Sequence, residues 1–230
     1  MPSIRNTFQI PRTLPLLVTE HNKYNLGPIA LIAVGALYMF TNHFQSSPLA
    51  LLEMTTLDRL IPLIPETIWL YHSDIPLMIL AYVLCRDLLA LNKFLYSFVA
   101  LHVLSNVIFV FWPTTYPREE FPLIAGAMDS WTYAFFSYFR GIETASNCFP
   151  SLHVGSVFIS AFALFGEKRW KPVVFVLWAI AVSLSTLTTK QHYIQDIFGG
   201  LFMAVFVYGI FFRAFNYNKA TEPMEFKTTG

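Results

Sequence analysis

"NCFPSLHVGSVFISAFALFGEKRWKPVVFVLWAIAVSLSTLTTKQHYIQDIFGG", residues 147–200, holds two apolar runs joined by a short basic turn, "GEKRWK". A polar cluster opens the first run. A second cluster, "TTKQHYIQDIFGG" (188–200), ends the second run and opens a third. A helix crossing the hydrocarbon core needs about 20 mostly apolar residues. The stretches 151–166, 172–189 and 193–213 are read as three such helices. The middle one is rich in Val, Ile and Leu, which in a soluble protein suggests a strand. Its length and its neighbours favour a helix.

Working outward, three more runs occur at 28–44, 67–85 and 94–112. Tyr71, His72, Ser73 and Asp74 interrupt the start of the second, so a helix beginning after Pro76 is the alternative there. Of 230 residues, 55% are hydrophobic and 13% charged, against about 25% charged in soluble domains. The expected fold class is all-α: a polytopic membrane helical bundle of six transmembrane helices. A short interfacial helix is expected at "MDSWTYAFFSYFRG" (128–141), whose aromatics suit the headgroup layer. The expected division is an N-terminal segment 1–27, a membrane domain 28–214 and a tail 215–230. Residues 1–26 do not read as a secretory signal. A net charge of +1 with no long basic run argues against a nucleic-acid partner. The partner implied is the membrane.

Six spans place both termini on one side. That side receives Arg5, Arg12, Lys23, Arg86, Lys93, Lys168, Arg169, Lys171, Arg213, Lys219 and Lys227. The other receives only Arg59, Arg118, Arg140 and Lys190. Cytoplasmic loops carry excess Lys and Arg, so the termini are expected to be cytoplasmic, in a plasma, inner or internal membrane. Cys85 and Cys148 then lie on opposite faces and cannot pair within one chain. Three of the four outward cations lie close in sequence to the two polar clusters. An anionic substrate would give them a reason to collect there.

His192 and Asp196 are four apart and share a helix face. A carboxylate there fixes one imidazole nitrogen and leaves the other free as a nucleophile. The bland alternative is an interfacial pair that caps the helix. "PSLH" (150–153) reads as a helix opening with Pro150 at its first position. Free N–H groups near Ser151 would then favour an anion. His153 would stand beside that anion as an acid for a leaving oxygen, or would be a plain interfacial histidine. Two histidines, an aspartate and outward cations on one face together suggest phosphoryl transfer through a phosphohistidine. His102 and Asn106, four apart in the third span, read as a helix–helix hydrogen bond. Asp58 and Glu66 read as solvated loop charges.

Over residues 110–200 the sequence resembles the type 2 phosphatidic acid phosphatase superfamily, whose motifs are K-x6-R-P, P-S-G-H and S-R-x5-H-x3-D. The third motif reads Ser185, Thr186, five residues, His192, three residues, Asp196. The second reads Pro150, Ser151, Leu152, His153. The first keeps Arg118, with Phe111 at the lysine position and Glu119 at the proline. Leucine in "PSLH" and the stretch "LDRLIPLIPETIWLYHSDIP" (57–76) resemble the branch of inositol phosphorylceramide synthases, sphingomyelin synthases and related bacterial proteins. The resemblance implies His192 as nucleophile, Asp196 orienting it, His153 as acid and Arg118 holding the phosphate, with no metal or other cofactor. Ser151 would help to bind the phosphate. Lys190 or Arg140 would stand in for the cations missing at Phe111 and Thr186. The implied activity is a lipid phosphatase acting on phosphatidic acid, a polyprenyl phosphate or a related lipid phosphate. A head-group phosphotransferase with an alcohol acceptor is the alternative. A transporter or structural protein, and a metal hydrolase using His153, His192 and Asp196, are the readings from other classes.

Overall fold

The structure, a computed structural model, describes residues 13–218. Arg5, Arg12, Lys219 and Lys227, with most of the expected tail and the start of the N-terminal segment, lie outside the described residues. A three-residue strand β1 (Thr13–Pro15) leads into helix α1 (Lys23–His43). Strand β2 (Ala50–Leu51) and the single turn α2 (Thr56–Leu60) follow. The second span is broken: a 3-10 turn at Pro65–Thr67, then α3 (Ile68–Tyr71), a kink at His72–Ser73, then α4 (Asp74–Leu84). Helix α5 (Leu88–Phe111) runs back to strand β3 (Thr114–Thr115), which pairs in parallel with β2. Helix α6 (Ser130–Ile142) is capped by the Asp129 carboxylate on Trp131 and Thr132 N–H. Helices α7 (Leu152–Ala163), α8 (Trp170–Thr188) and α9 (Ile194–Tyr208) complete the bundle. A π-helical stretch, Gly209–Ala214, extends α9. Strand β4 (Asn216–Asn218) then pairs in parallel with β1.

Five segments are long and apolar enough to cross a membrane: Lys23–His43, Pro65–Leu84, Leu88–Phe111, Trp170–Thr188 and Ile194–Ala214. The protein is an integral membrane protein. The sixth expected span departs from the others. Helix α7 has 12 residues, about 18 Å at 1.5 Å each, short of the roughly 30 Å hydrocarbon core. It serves instead as the central rod, with nine residues buried against α4, α5, α8 and α9. Its small residues allow this approach. A Cβ on Gly200 of α9 would lie 2.3 Å from the Ser151 carbonyl oxygen, so only glycine fits there.

Several polar side chains within the bundle pair across helices, as hydrocarbon surroundings favour. Thr41 Oγ1 donates to Asn106 Oδ1 at 2.5 Å, joining α1 to α5. His102 Nε2 lies 3.4 Å from Ser156 Oγ, joining α5 to α7. Trp178 Nε1 donates to Ser73 Oγ at the kink (2.8 Å). The His102–Ser156 pair fixes the stagger of α5 and α7. It sets the start of α7 about 7 Å inside the loop end of α5, at 1.5 Å per residue. The residues opening α7 are therefore recessed within the bundle.

Candidate active site

His153 lies in the first turn of α7, and His192 in the turn between α8 and α9. Their ring centroids are 5.8 Å apart, edge to face. The turn that delivers His192 is a Schellman ending of α8. Lys190 N–H donates to Leu187 O, and Gln191 N–H to Thr186 O, with Lys190 in the left-handed region at φ 55. The Thr186 carbonyl also accepts His192 N–H (3.2 Å), pinning the imidazole's backbone. Asp196, fully buried, accepts Tyr193 N–H through Oδ2 (2.8 Å) and thereby starts α9. The same oxygen is 3.4 Å from His192 Nδ1. Neither His192 Nδ1 nor Asp196 Oδ1 has a hydrogen-bond partner, so each is free to tighten toward the other.

The His153 ring is held by two residues of the broken second span. Tyr71 OH lies 3.2 Å from its Nδ1, and the Asp74 carboxylate 3.7 Å from its Nε2. The kink at His72–Ser73 turns these side chains inward. In the sequence, Tyr71 and Asp74 interrupt a span near the outward face and read as lining for the entrance to the site, not as catalytic groups; in the structure both face the His153 ring. An ionisable residue at membrane depth was the signal that marked them.

Two cavities meet around these rings. A polar one of about 20 Å³, room for about a water, is lined by Tyr71, Tyr116, Arg118, Asn147, Gln191 and His192 among others. A larger one of about 260 Å³ is lined by His72, Asp74, His102, His153 and apolar residues of α1. Tyr38 and Glu143 border both. A phosphate touching both imidazoles would lie across that boundary. Arg118 borders the polar cavity and is fixed in place: Nε donates to Tyr116 OH (3.1 Å), and one terminal nitrogen to the carbonyls of Arg140 and Glu143 (2.9 and 2.8 Å). Burial pushes the Glu143 carboxyl up from its ordinary pKa, against the opposing pull of Arg118 and His192. Burial likewise raises the Tyr116 hydroxyl, with Arg118 opposing.

Several residues predicted from sequence are placed otherwise. Lys190 Nζ donates to the Asp58 carbonyl (2.7 Å), and the residue is buried away from the polar cavity. Burial lowers its pKa, with Asp58 opposing. Its closeness in sequence to His192 is undone by the Schellman turn, which sends the two side chains apart. Asp58 is no solvated charge. It is buried, takes Thr55 N–H and Oγ1 (2.9 and 2.5 Å), and takes Ile194 N–H (2.9 Å), clasping α2 to the start of α9. Pro150 is not the first residue of α7; Ser151 is its N-cap, with Oγ accepting Val154 N–H (3.4 Å). Ser151 N–H donates to the Asp196 carbonyl (3.1 Å) and is not free for an anion. Arg140 backs the site rather than facing the histidines. It donates to Phe121 O (2.6 Å), and its Nε and other terminal nitrogen are buried without partners. Burial lowers its pKa. Phe111, at the family's lysine position, points outward and is 76% exposed. Cys85 and Cys148 are both buried, free thiols. Among the described residues, no group of three His, Cys, Asp or Glu side chains converges to hold a metal ion.

A bundle of membrane-length helices thus brings two imidazoles, a carboxylate and an arginine together around a small polar cavity that borders a larger, mostly apolar one. The sequence model of the PAP2 superfamily matches residues 66–210, and the chain belongs to that superfamily. No curated protein and no solved structure matched the chain.

Proposed function

We propose that this protein is an integral membrane lipid phosphatase that removes phosphate from a lipid phosphate through a phosphohistidine on His192. The observation that carries the reading is the pair of imidazoles 5.8 Å apart between centroids, at the junction of a polar cavity and an apolar one. His192 attacks phosphorus through Nε2 while Asp196 holds the proton on Nδ1. The P–O bond to the lipid breaks, and His153, as imidazolium beside Asp74, protonates the leaving alkoxide. Water then attacks the phosphohistidine and gives a proton to His153. Inorganic phosphate leaves, and both histidines return to their starting states. Arg118 neutralises the equatorial oxygens. The lysine and arginine balance of the loops supports a site on the non-cytoplasmic face.

A second reading has its own support. Arg118 is the one cation lining the polar cavity among the described residues, and Glu143 faces it. A phosphomonoester carries close to two charges near pH 7; a phosphodiester carries one. The charge balance favours the diester. Head-group transfer from a phospholipid to an alcohol would then use the same residues. Purified protein in detergent, given lipid phosphates and phosphodiesters with and without alcohol acceptors, separates the two readings. Phosphate release independent of acceptor supports the phosphatase. Product formed only with an acceptor supports transfer. Full turnover by His192→Ala contradicts both.

A further inference from the structure

The large cavity beside His153 does not end at the site. Its wall residues Leu31 and Met78 also line a second cavity of about 180 Å³, bounded by Tyr24, Gly27 and Ala30 of α1, by Tyr82 and Val83 of α4 and by Phe94 of α5. The two lie end to end in the cleft between α1 and α4. The cleft exists because α1 rests on α5 and makes no extensive contact with α4. Its outer rim is apolar and exposed: Ile79 and Val83 are about half exposed, and a Cβ on Gly35 would meet no neighbour.

The far end is closed. The Tyr82 hydroxyl donates to the Lys23 carbonyl (2.8 Å), which fixes the phenol across the cleft. Gly27 lies so close that a Cβ there would be 2.6 Å from the Tyr82 ring. Tyr24 and Tyr38 mark the two ends along α1. They are separated by about 21 Å at 1.5 Å per residue, the length of an extended chain of roughly 16 carbons.

We propose that this cleft holds one hydrocarbon chain of the lipid substrate, with Tyr82 and Gly27 as a floor that sets the favoured chain length. The inference rests on the reading of the site as one for phosphorylated lipids. The occupant follows from the surroundings. The upper end opens on the His153 imidazole, beside which a phosphate would sit, and the lower end is lined by apolar side chains and tyrosine rings. A protein partner would have to reach the cleft through the bilayer and leave the histidines uncovered. Met78 and Leu31 form the neck between the cavities, and methionine's flexible side chain suits a passage that fills and empties.

The test compares alkyl phosphates of graded length, from about 6 to 18 carbons, on the wild-type protein and on Ala30→Trp, which fills the lower cavity. Retention is read by native mass spectrometry of the detergent-released protein, and turnover is read in parallel. Val83→Trp fills the same space from the opposite wall, should Ala30→Trp fail to fold. Val173→Trp, on an exposed face of α8, is the control. The expected result is a preferred length shortened by roughly 7 carbons in both cleft variants, the chain lost below residue 30. Short-chain retention and the control should be unchanged. A length profile identical to wild type in a folded cleft variant overturns the proposal. Length-dependent retention with no turnover of any lipid sustains the cleft and refutes the enzymatic reading instead.

Discussion

Replacing Arg118 with alanine removes the one guanidinium among the described residues that borders the polar cavity. A unit charge about 4 Å from a phosphate oxygen, at an effective dielectric of about 20, contributes roughly 4 kcal/mol. Removing one oriented donor to a developing charge costs about 10²–10³ in rate in enzymes where it has been measured. Arg118→Ala should therefore lower kcat/KM by about 10²–10³. The change also deletes the bonds to Tyr116 OH and to the Arg140 and Glu143 carbonyls. Each contributes about 1 kcal/mol, so thermal stability falls as well. Arg118→Lys separates the two effects. It keeps the charge but cannot reproduce the fork, and should lose on the order of tenfold in kcat/KM. The assay is product release from a lipid phosphate in micelles, with folding checked by gel filtration and thermal melting. An alanine variant that is folded and within about threefold of wild type would refute the reasoning.

Asp74→Asn should lower kcat about tenfold or more by weakening the protonated form of His153, whereas a substrate with an activated aryl leaving group should be hydrolysed nearly normally. Equal losses on both substrates would mean that Asp74 does not act through the acid. Glu143 has a raised pKa, so its carboxyl stays neutral to higher pH than usual. Its ionisation as pH rises places a negative charge beside the bound phosphate. KM should therefore climb through that titration, and Glu143→Gln should flatten the climb; an unchanged KM profile would contradict this. Gly200→Ala drives a methyl group to 2.3 Å from the Ser151 oxygen and should destabilise by about 1–3 kcal/mol or more, read as a lower melting temperature in detergent.

What the sequence made legible follows from the range of each signal. Apolar runs are local, so each long helix could be located, with the starts of α1 at Lys23 and α5 at Leu88 lying ahead of the expected 28 and 94. The central helix was also located, but not its shortness. Leu164 and Phe165 are apolar enough to extend the run, yet the chain already turns there, with Phe165 N–H bonded to Phe162 O and Glu167 N–H to Leu164 O. The i,i+4 spacing of His192 and Asp196 is also local, and a helix start holds those two side chains within 3.4 Å. Tyr71 and Asp74 could not be assigned that way. They reach His153 across about 80 residues of chain, through a kink whose position the polar interruption at 71–74 marks but whose partner it does not. Proximity along the chain misled in the opposite direction at Lys190 and Ser151. Both are next to site residues in sequence, yet Lys190 Nζ donates to the Asp58 carbonyl and the Ser151 backbone N–H to the Asp196 carbonyl. Asp58 shows the same limit: a charge in a polar stretch reads as solvated until the fold brings Ile194 N–H to it.

The central claim is that His192 becomes phosphorylated. Brief incubation with a radiolabelled lipid phosphate, followed by a denaturing quench at alkaline pH, tests it directly. The account predicts a protein-bound label that survives base, is lost in acid, maps to His192 and is absent from His192→Ala. It also predicts that His153→Ala, impaired in activating water, holds the label longer once an activated substrate has delivered it. No label on a turning-over wild-type enzyme, or an undiminished label on His192→Ala, would contradict the account.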